Sequence, residues 1–136
     1  MIYYLLGVNQ KYMFTEDNMS HSKTIRVLIV APCKAPYAAE IPSGLESLQE
    51  QVGGLIQALY IDDVALICNE KGKLIGLPWN RPLFDEEGNL YEVIAGTFIV
   101  AGLTEDDFGS LSDEQIERYT EMFRRWICPE MLLWED

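Results

Sequence analysis

Histidine is almost missing from this chain. The single one, His21, lies in a polar stretch near the start. A Ser-His or Cys-His nucleophile system would need it delivered to a cleft, so a solvated side chain is the expectation and no catalytic residue is assigned. Cysteine is scarce and odd in number. Cys33, Cys68 and Cys128 stand far apart with no C-x-x-C. That spacing excludes a recognisable zinc site and points to reduced thiols in the cytoplasm. No G-x-x-x-x-G-K-[ST] or G-x-G-x-x-G occurs, so no phosphate-cradling loop announces a nucleotide cofactor. No apolar run reaches the length of a membrane span. The first seven residues lack a basic region and no small-residue cleavage site follows, so no signal peptide is expected.

Positive charge is also in short supply. Ten Lys and Arg stand against 22 Asp and Glu, a formal net charge of −12. Direct nucleic-acid binding depends on basic contacts to phosphate, and docking on anionic membranes has the same need. Neither is expected. A basic partner protein is favoured instead. Residues 105–136 hold ten acids and three bases, so the C-terminal quarter carries most of the imbalance.

What is present is enough for one domain. The chain has 136 residues, 49% of them hydrophobic, which suffices for a core without disulfides or metal. Residues 1–24 read as an N-terminal extension or arm. Met19-Ser20-His21-Ser22-Lys23 would itself make an ordinary start, so an over-long start is one reading. An arm packed on the domain or on a second subunit is the other. Residues 25–136 read as a single domain ending in an acidic helix and an apolar tail.

Ile25-Arg26-Val27-Leu28-Ile29-Val30-Ala31 is nearly all apolar and β-branched, as a central strand should be. Tyr37 to Ile41, between Pro36 and Pro42, is expected on an edge. Ser43-Gly44-Leu45-Glu46 fits a capping box, Leu45, Leu48 and Val52 form one stripe, and Gly53-Gly54 ends the helix. Leu55 to Ile61 and Val64 to Cys68 are strands joined by Asp62-Asp63. Asn69 to Gly72 reads as a hairpin turn with Lys73 to Leu77 returning. After a turn at Asp85 to Asn89, Leu90 to Leu103 runs apolar, broken by Gly96. Ser112 and Gln115 start the clearest helix, with Leu111 stapled to Ile116 and Pro129 closing the element. The fold class is α+β, a mixed or mostly antiparallel sheet of about five strands packed against two helices.

Two sets of residues invite a functional reading. Asn69, Trp79, Asn80, Arg81 and Thr97 lie at or beside strand ends. Arg81 next to an indole, between Pro78 and Pro82, is suited to clamp an anionic or planar ligand. The bland alternative pairs Arg81 with Glu70 or Glu92 and packs Trp79 in the core. Asp113, Glu117 and Glu121 form an acidic stripe at i, i+4 and i+8, suited to a basic partner. Its alternative is a solvated face with Glu114–Arg118 and Glu121–Arg125 pairs. Asp62-Asp63 and Asp85-Glu86-Glu87 could bind a divalent cation, but adjacent carboxylates on a turn normally splay into water, and no metal is assigned. The tail from Pro129 to Trp134 would dock on its own domain or on a second copy, so a homodimer is one expected state.

Four strings carry a resemblance. They are Leu48 to Gly54, Cys68 to Arg81, Ile94-Ala95-Gly96-Thr97-Phe98, and Leu111 to Gln115. Together they resemble an uncharacterised domain family of small proteins found in phages, plasmids and conjugative elements, largely of gut Firmicutes. The likeness covers residues 25–125, and the first 24 lie outside it. The family has no established activity. The resemblance implies a cytoplasmic accessory protein of a mobile element. It maps the family's polar turn onto Asn69, Glu70, Gly72 and Lys73, its Asn-Arg pair onto Asn80 and Arg81, and its Gly-Thr onto Gly96 and Thr97. Trp79 and Pro82 depart from the smaller or aliphatic residues usual there. The expected function is a non-catalytic binding or modulator protein acting on a host or element protein. The alternative is a binder of a small nucleotide-like ligand at Arg81.

Overall fold

The computed structural model describes residues 23–126. The N-terminal arm, His21, Cys128, Pro129 and the apolar tail lie outside the described residues. The strands are β1 (Thr24–Val30), β2 (Tyr37–Pro42), β3 (Ile56–Ile61), β4 (Val64–Asn69), β5 (Trp79–Phe84), β6 (Leu90–Ala95), β7 (Phe98–Leu103) and β8 (Phe108–Gly109). The helices are α1 (Leu45–Val52) and α2 (Asp113–Met122). The class is α+β. A six-stranded antiparallel sheet runs β2-β1-β7-β4-β3, with β8 paired to the end of β7. β5 and β6 form a separate antiparallel hairpin.

The central strands β1, β4 and β7 are buried on both faces, which explains their apolar sequences. Val27, Ile29, Ile67, Ile99 and Ala101 point to one face, where Leu45, Leu48 and Val52 of α1 cover them. Leu28, Val30, Leu66, Phe98 and Val100 point to the other. There they meet Tyr119 and Phe123 at α2, and Leu83 and Ile94 of the β5–β6 hairpin. Every residue of β4 is buried. Strands with two covered faces lose the apolar–polar alternation. Each fully buried Val, Leu or Ile contributes about 1.5–3 kcal/mol relative to exposure. β2 is an edge strand, as its flanking prolines predict. Gly53 caps α1 in the left-handed conformation, at φ 79. The Ser112–Gln115 capping box forms in both directions.

Three local expectations are corrected. Ser43 does not cap α1, because its N–H donates to the Lys23 carbonyl at 3.1 Å and prolongs the β1–β2 pairing. Gly44 takes the cap position instead, without a side-chain bond. Lys73 to Leu77 is not a return strand. β4 already has β3 on one edge and β7 on the other, so no edge is left to pair. The segment closes on itself through Leu77 N–H to the Gly72 carbonyl at 2.9 Å, leaving Leu74 and Ile75 exposed. The last helix stops at Met122, well before Pro129, with Phe123 as its C-cap.

The turn at Asp62-Asp63 fastens α2 to the sheet. Asp63 accepts from Tyr119 Oη at 2.9 Å and Gln115 Nε2 at 2.9 Å, and faces Arg118 at 3.4 Å. Arg118 is thus paired with Asp63, not with Glu114. The hydrogen bonds from Gln115 and Tyr119 hold the Asp63 carboxyl below its usual range. A depressed carboxylate contributes stability above its unfolded pKa, and loses it as pH falls through the folded value. The difference in unfolding midpoint between wild type and Asp63→Asn is therefore expected in full near pH 6. It should shrink as pH drops below about 4, the unfolded carboxylate range. Asp63→Ala is expected to cost about 1–3 kcal/mol in urea unfolding, because it strands the buried Tyr119 hydroxyl.

Candidate functional site

Between Trp79 and Arg81 the β5–β6 register slips. Trp79 faces Ala95, Arg81 faces Ile94, and Asn80 is the extra residue. Such a bulge breaks the strand's alternation, so two consecutive polar side chains turn inward. Asn80 is 0% exposed and Arg81 is 1% exposed.

Asn80 Nδ2 donates to the Val30 carbonyl at 2.9 Å and the Gly96 carbonyl at 2.8 Å. It thus joins the end of β1 to the β6–β7 turn. Gly96 sits there at φ 87, and a Cβ would fall 2.6 Å from Leu77 Cδ1. Only glycine combines that backbone with that contact. Arg81 Nε donates to the Phe123 carbonyl at 2.9 Å. Its Nη1 donates to Asn80 Oδ1 at 2.6 Å and the Ala31 carbonyl at 3.3 Å, and its Nη2 to the Lys34 carbonyl at 2.7 Å. The guanidinium also lies 5.4 Å from the Trp126 ring centroid. Burial lowers the Arg81 pKa to about 10, so the group stays charged at neutral pH.

Neither half of the bland alternative for this segment is built. Glu92 pairs with Lys73, and Arg81 is held by carbonyls rather than by Glu70 or Glu92. Trp79 is half-exposed rather than packed in the core. Asn69 is buried and also turned to the backbone. Its Nδ2 donates to the Val52 carbonyl at 3.1 Å, at the end of α1, and its Oδ1 accepts from Lys71 N–H at 2.8 Å. Thr97 is partly buried beside Gly96. The structure brings Asn80, Arg81 and the Gly96-Thr97 turn together. Asn69 joins them through Gly72, whose N–H bonds the Asn69 carbonyl and which lies against the Ala95 carbonyl. An anion at Arg81 would have to displace bonds the guanidinium already makes.

Two concavities flank this seam. The smaller, about 400 Å³, is lined by Cys68, Asn69, Lys73 and Glu92 among others. Burial raises the Cys68 thiol pKa to about 11, which keeps it protonated and unreactive at neutral pH. The larger, about 870 Å³, lies between the β5–β6 hairpin, the end of α2 and the Asp62 turn. Phe84, Tyr91 and Met122 line it with 57%, 51% and 48% of their surfaces exposed. Asp62, Asp85, Glu86 and Glu87 rim it, with Arg125 the one exposed cation among its lining residues. Arg81 forms part of its floor and ties that floor to the end of α2 through the Phe123 carbonyl.

Sequence reasoning missed this cleft. Its signal was Phe84 directly before Asp85-Glu86-Glu87, which reads as a hairpin turn and is one. Asp85 does cap that turn, accepting from Glu87 and Asn89 N–H. The acidic stripe of α2 is exposed, but Asp113 is paired with Arg26 at 2.6 Å and Glu121 with Arg124 at 3.0 Å. Arg124 takes the place expected for Arg125, because the last turn tightens and Arg124 N–H reaches the Glu121 carbonyl. Exposed pairs of this kind contribute ~0–1 kcal/mol. Among the described residues, no group of three or more His, Cys, Asp or Glu is placed to hold a metal ion. No helix there is long and apolar enough to cross a membrane.

The chain belongs to the family described as a domain of unknown function (DUF3846), whose model matches residues 25–124. No curated protein and no solved structure matches it.

Proposed function

We propose that this DUF3846 chain is a non-catalytic binding protein, a cytoplasmic accessory factor of a mobile element that acts on a host or element protein. The cleft between β5, β6 and α2 is its working surface. One observation carries this reading: three large apolar side chains stand half-exposed in one concavity whose rim is acidic. Scattered exposed apolar residues are ordinary, but a contiguous set rimmed by polar groups marks an interaction site. The partner it fits is a segment with an aromatic or aliphatic anchor flanked by Lys or Arg. The anchor supplies affinity, while the acids supply steering and salt dependence. The net charge of −12 and the exposed Glu117 add to the same field, to which Asp113 and Glu121, paired with Arg26 and Arg124, contribute less.

A small nucleotide-like ligand is the second reading. The cleft's volume falls within the range of small-ligand sites, and Arg81 lines it.

Capture from host-cell extract, read by native mass spectrometry, tests both. A retained protein is expected, released as salt rises, since screening weakens exposed charge contacts. Phe84→Ala should weaken its binding about 30-fold, the effect of truncating a hot spot worth about 2 kcal/mol. Asp85→Asn/Glu86→Gln/Glu87→Gln should flatten the salt dependence. A bound small mass lost on Phe84→Ala/Tyr91→Ala would establish the second reading. Equal retention by all variants would refute the cleft. If Asp113→Gln/Glu117→Gln/Glu121→Gln alone abolished binding, the stripe of α2 would replace it.

A further inference from the structure

The two edges of the main sheet are built differently. β2 is bracketed by Pro36 and Pro42 and carries Glu40. Proline and charge are the usual protections of a sheet edge. β3 has neither. Its six residues, Ile56-Gln57-Ala58-Leu59-Tyr60-Ile61, hold no charge and no proline, and pair with β4 in unbroken register. Among the described residues no strand lies on its other side.

The register fixes which backbone groups that edge presents. Glu70 N–H donates to the Leu55 carbonyl at 2.8 Å. Hydrogen-bonded pairs alternate along an antiparallel ladder. Leu55, Gln57, Leu59 and Ile61 therefore direct their N–H and C=O groups at β4. Ile56, Ala58 and Tyr60 direct theirs outward, centred on Ala58.

We propose that β3 pairs antiparallel with β3 of a second copy of this chain, about a two-fold axis at Ala58. This register matches every side chain with a neutral one. Ala58 meets Ala58 of the other copy, Ile56 meets Tyr60, Gln57 meets Leu59, and Leu55 meets Ile61. Leu55 and Tyr60, now 59% and 49% exposed, each gain an apolar neighbour. Ile–Tyr is a favourable cross-strand combination. The aspartates of the β3–β4 turn fall opposite Gly53 and Gly54, away from their own counterparts. The contact is isologous and closes at two copies, joining two sheets edge to edge.

Sedimentation equilibrium of the full chain between 1 and roughly 100 μM tests this, since a single-strand contact is small and its affinity correspondingly modest. A species of twice the 15.5 kDa chain mass is expected, and raised salt should favour it by screening two copies of like charge. Ala58→Pro removes the outward N–H without taking a bond from β4 and should leave a folded monomer. Tyr60→Lys places a charge in the seam at an already exposed position and should do the same, which decides the matter if the proline variant does not fold. In hydrogen exchange, the amides of Ile56, Ala58 and Tyr60 should gain protection with concentration, while those of Gln57, Leu59 and Ile61 are protected throughout. A chain that is monomeric across this range, or a dimer unchanged by Tyr60→Lys, would overturn the proposal.

Discussion

Arg81→Ala is expected to destabilise the domain by about 3–5 kcal/mol, the summed cost of leaving several hydrogen-bond acceptors without their donor. With a urea slope near 2 kcal/mol/M, the midpoint should fall by roughly 2 M. The removed side chain serves four acceptors: the carbonyls of Ala31, Lys34 and Phe123, and Asn80 Oδ1. The Phe123 carbonyl and Asn80 Oδ1 are left in buried sites, where an unsatisfied acceptor costs about 1–3 kcal/mol, while the Ala31 and Lys34 carbonyls are part-buried and lose less. The truncation also leaves a void beneath the cleft. Arg81→Lys should recover only a fraction. An ammonium carries three donors on one atom, whereas the guanidinium spreads its donors over three nitrogens in a plane. The loss should be nearly independent of salt, because the partners are dipoles, not carboxylates. Removing Asp113 from its exposed pair with Arg26 should move the midpoint little.

The same variant bears on the proposed binding role through geometry. The Arg81–Phe123 bond holds the end of α2 against β5, and those two elements are walls of the cleft. Arg81→Ala should thus loosen partner binding along with the fold. Phe84→Ala removes a half-exposed side chain and separates the two effects: it should bind poorly while unfolding close to wild type.

How much of this was legible depends on what each level of structure rests on. β1, β4 and β7 were readable because two covered faces leave a continuous apolar run. The Ser112–Gln115 box was readable because its two bonds are local to four residues. Lys73 to Leu77 was misread because its composition is that of a strand. Whether it pairs depends on β7 having already taken the edge of β4, which is a long-range fact. Ser43 was misread for a similar reason, since its N–H had a partner across the β1–β2 ladder.

The candidate site shows the same division. Asn69, Asn80, Arg81 and the Gly96-Thr97 turn were identified as polar groups near strand ends, and they do converge. The direction of Arg81 was not legible. It follows from a bulge that a sequence of Trp79-Asn80-Arg81-Pro82 does not declare. The cleft was not legible either, because Phe84, Tyr91 and Met122 come from three elements whose packing the chain order does not reveal. Asp85-Glu86-Glu87 fits a hairpin turn completely, which masks its place at the cleft.

Gly102→Ala is expected to cost about 3 kcal/mol, at the upper end for forcing atoms into a packed site. A Cβ there would stand 2.3 Å from the Ser110 carbonyl oxygen and 3.0 Å from its carbon. Backbone, unlike a side-chain tip, has little freedom to recede. Three bonds fix this stretch: the Gly102–Gly109 pairing, Arg26 N–H to Ser110 Oγ at 3.0 Å, and Leu111 N–H to the Arg26 carbonyl at 2.9 Å. The methyl must push β8 off β7 or be pushed out itself. If β8 yields, Leu111 is drawn from the core and the Ser112 cap of α2 loses its footing. Hydrogen exchange should then accelerate first at residues 108–112 and along α2, while β1 and β4 hold. Gly88→Ala is the control, since Gly88 has φ +87 but nothing within 4 Å of a Cβ. It should cost only the left-handed strain, about 1–2 kcal/mol. A Gly102→Ala loss no larger than the control's would mean that β8 is not a fixed strap, and that Asp63, Arg81 and core packing position α2 without it. A larger loss concentrated in α2 would add a third anchor to the wall of the cleft. Partner affinity should then fall in Gly102→Ala although no residue of the cleft is altered.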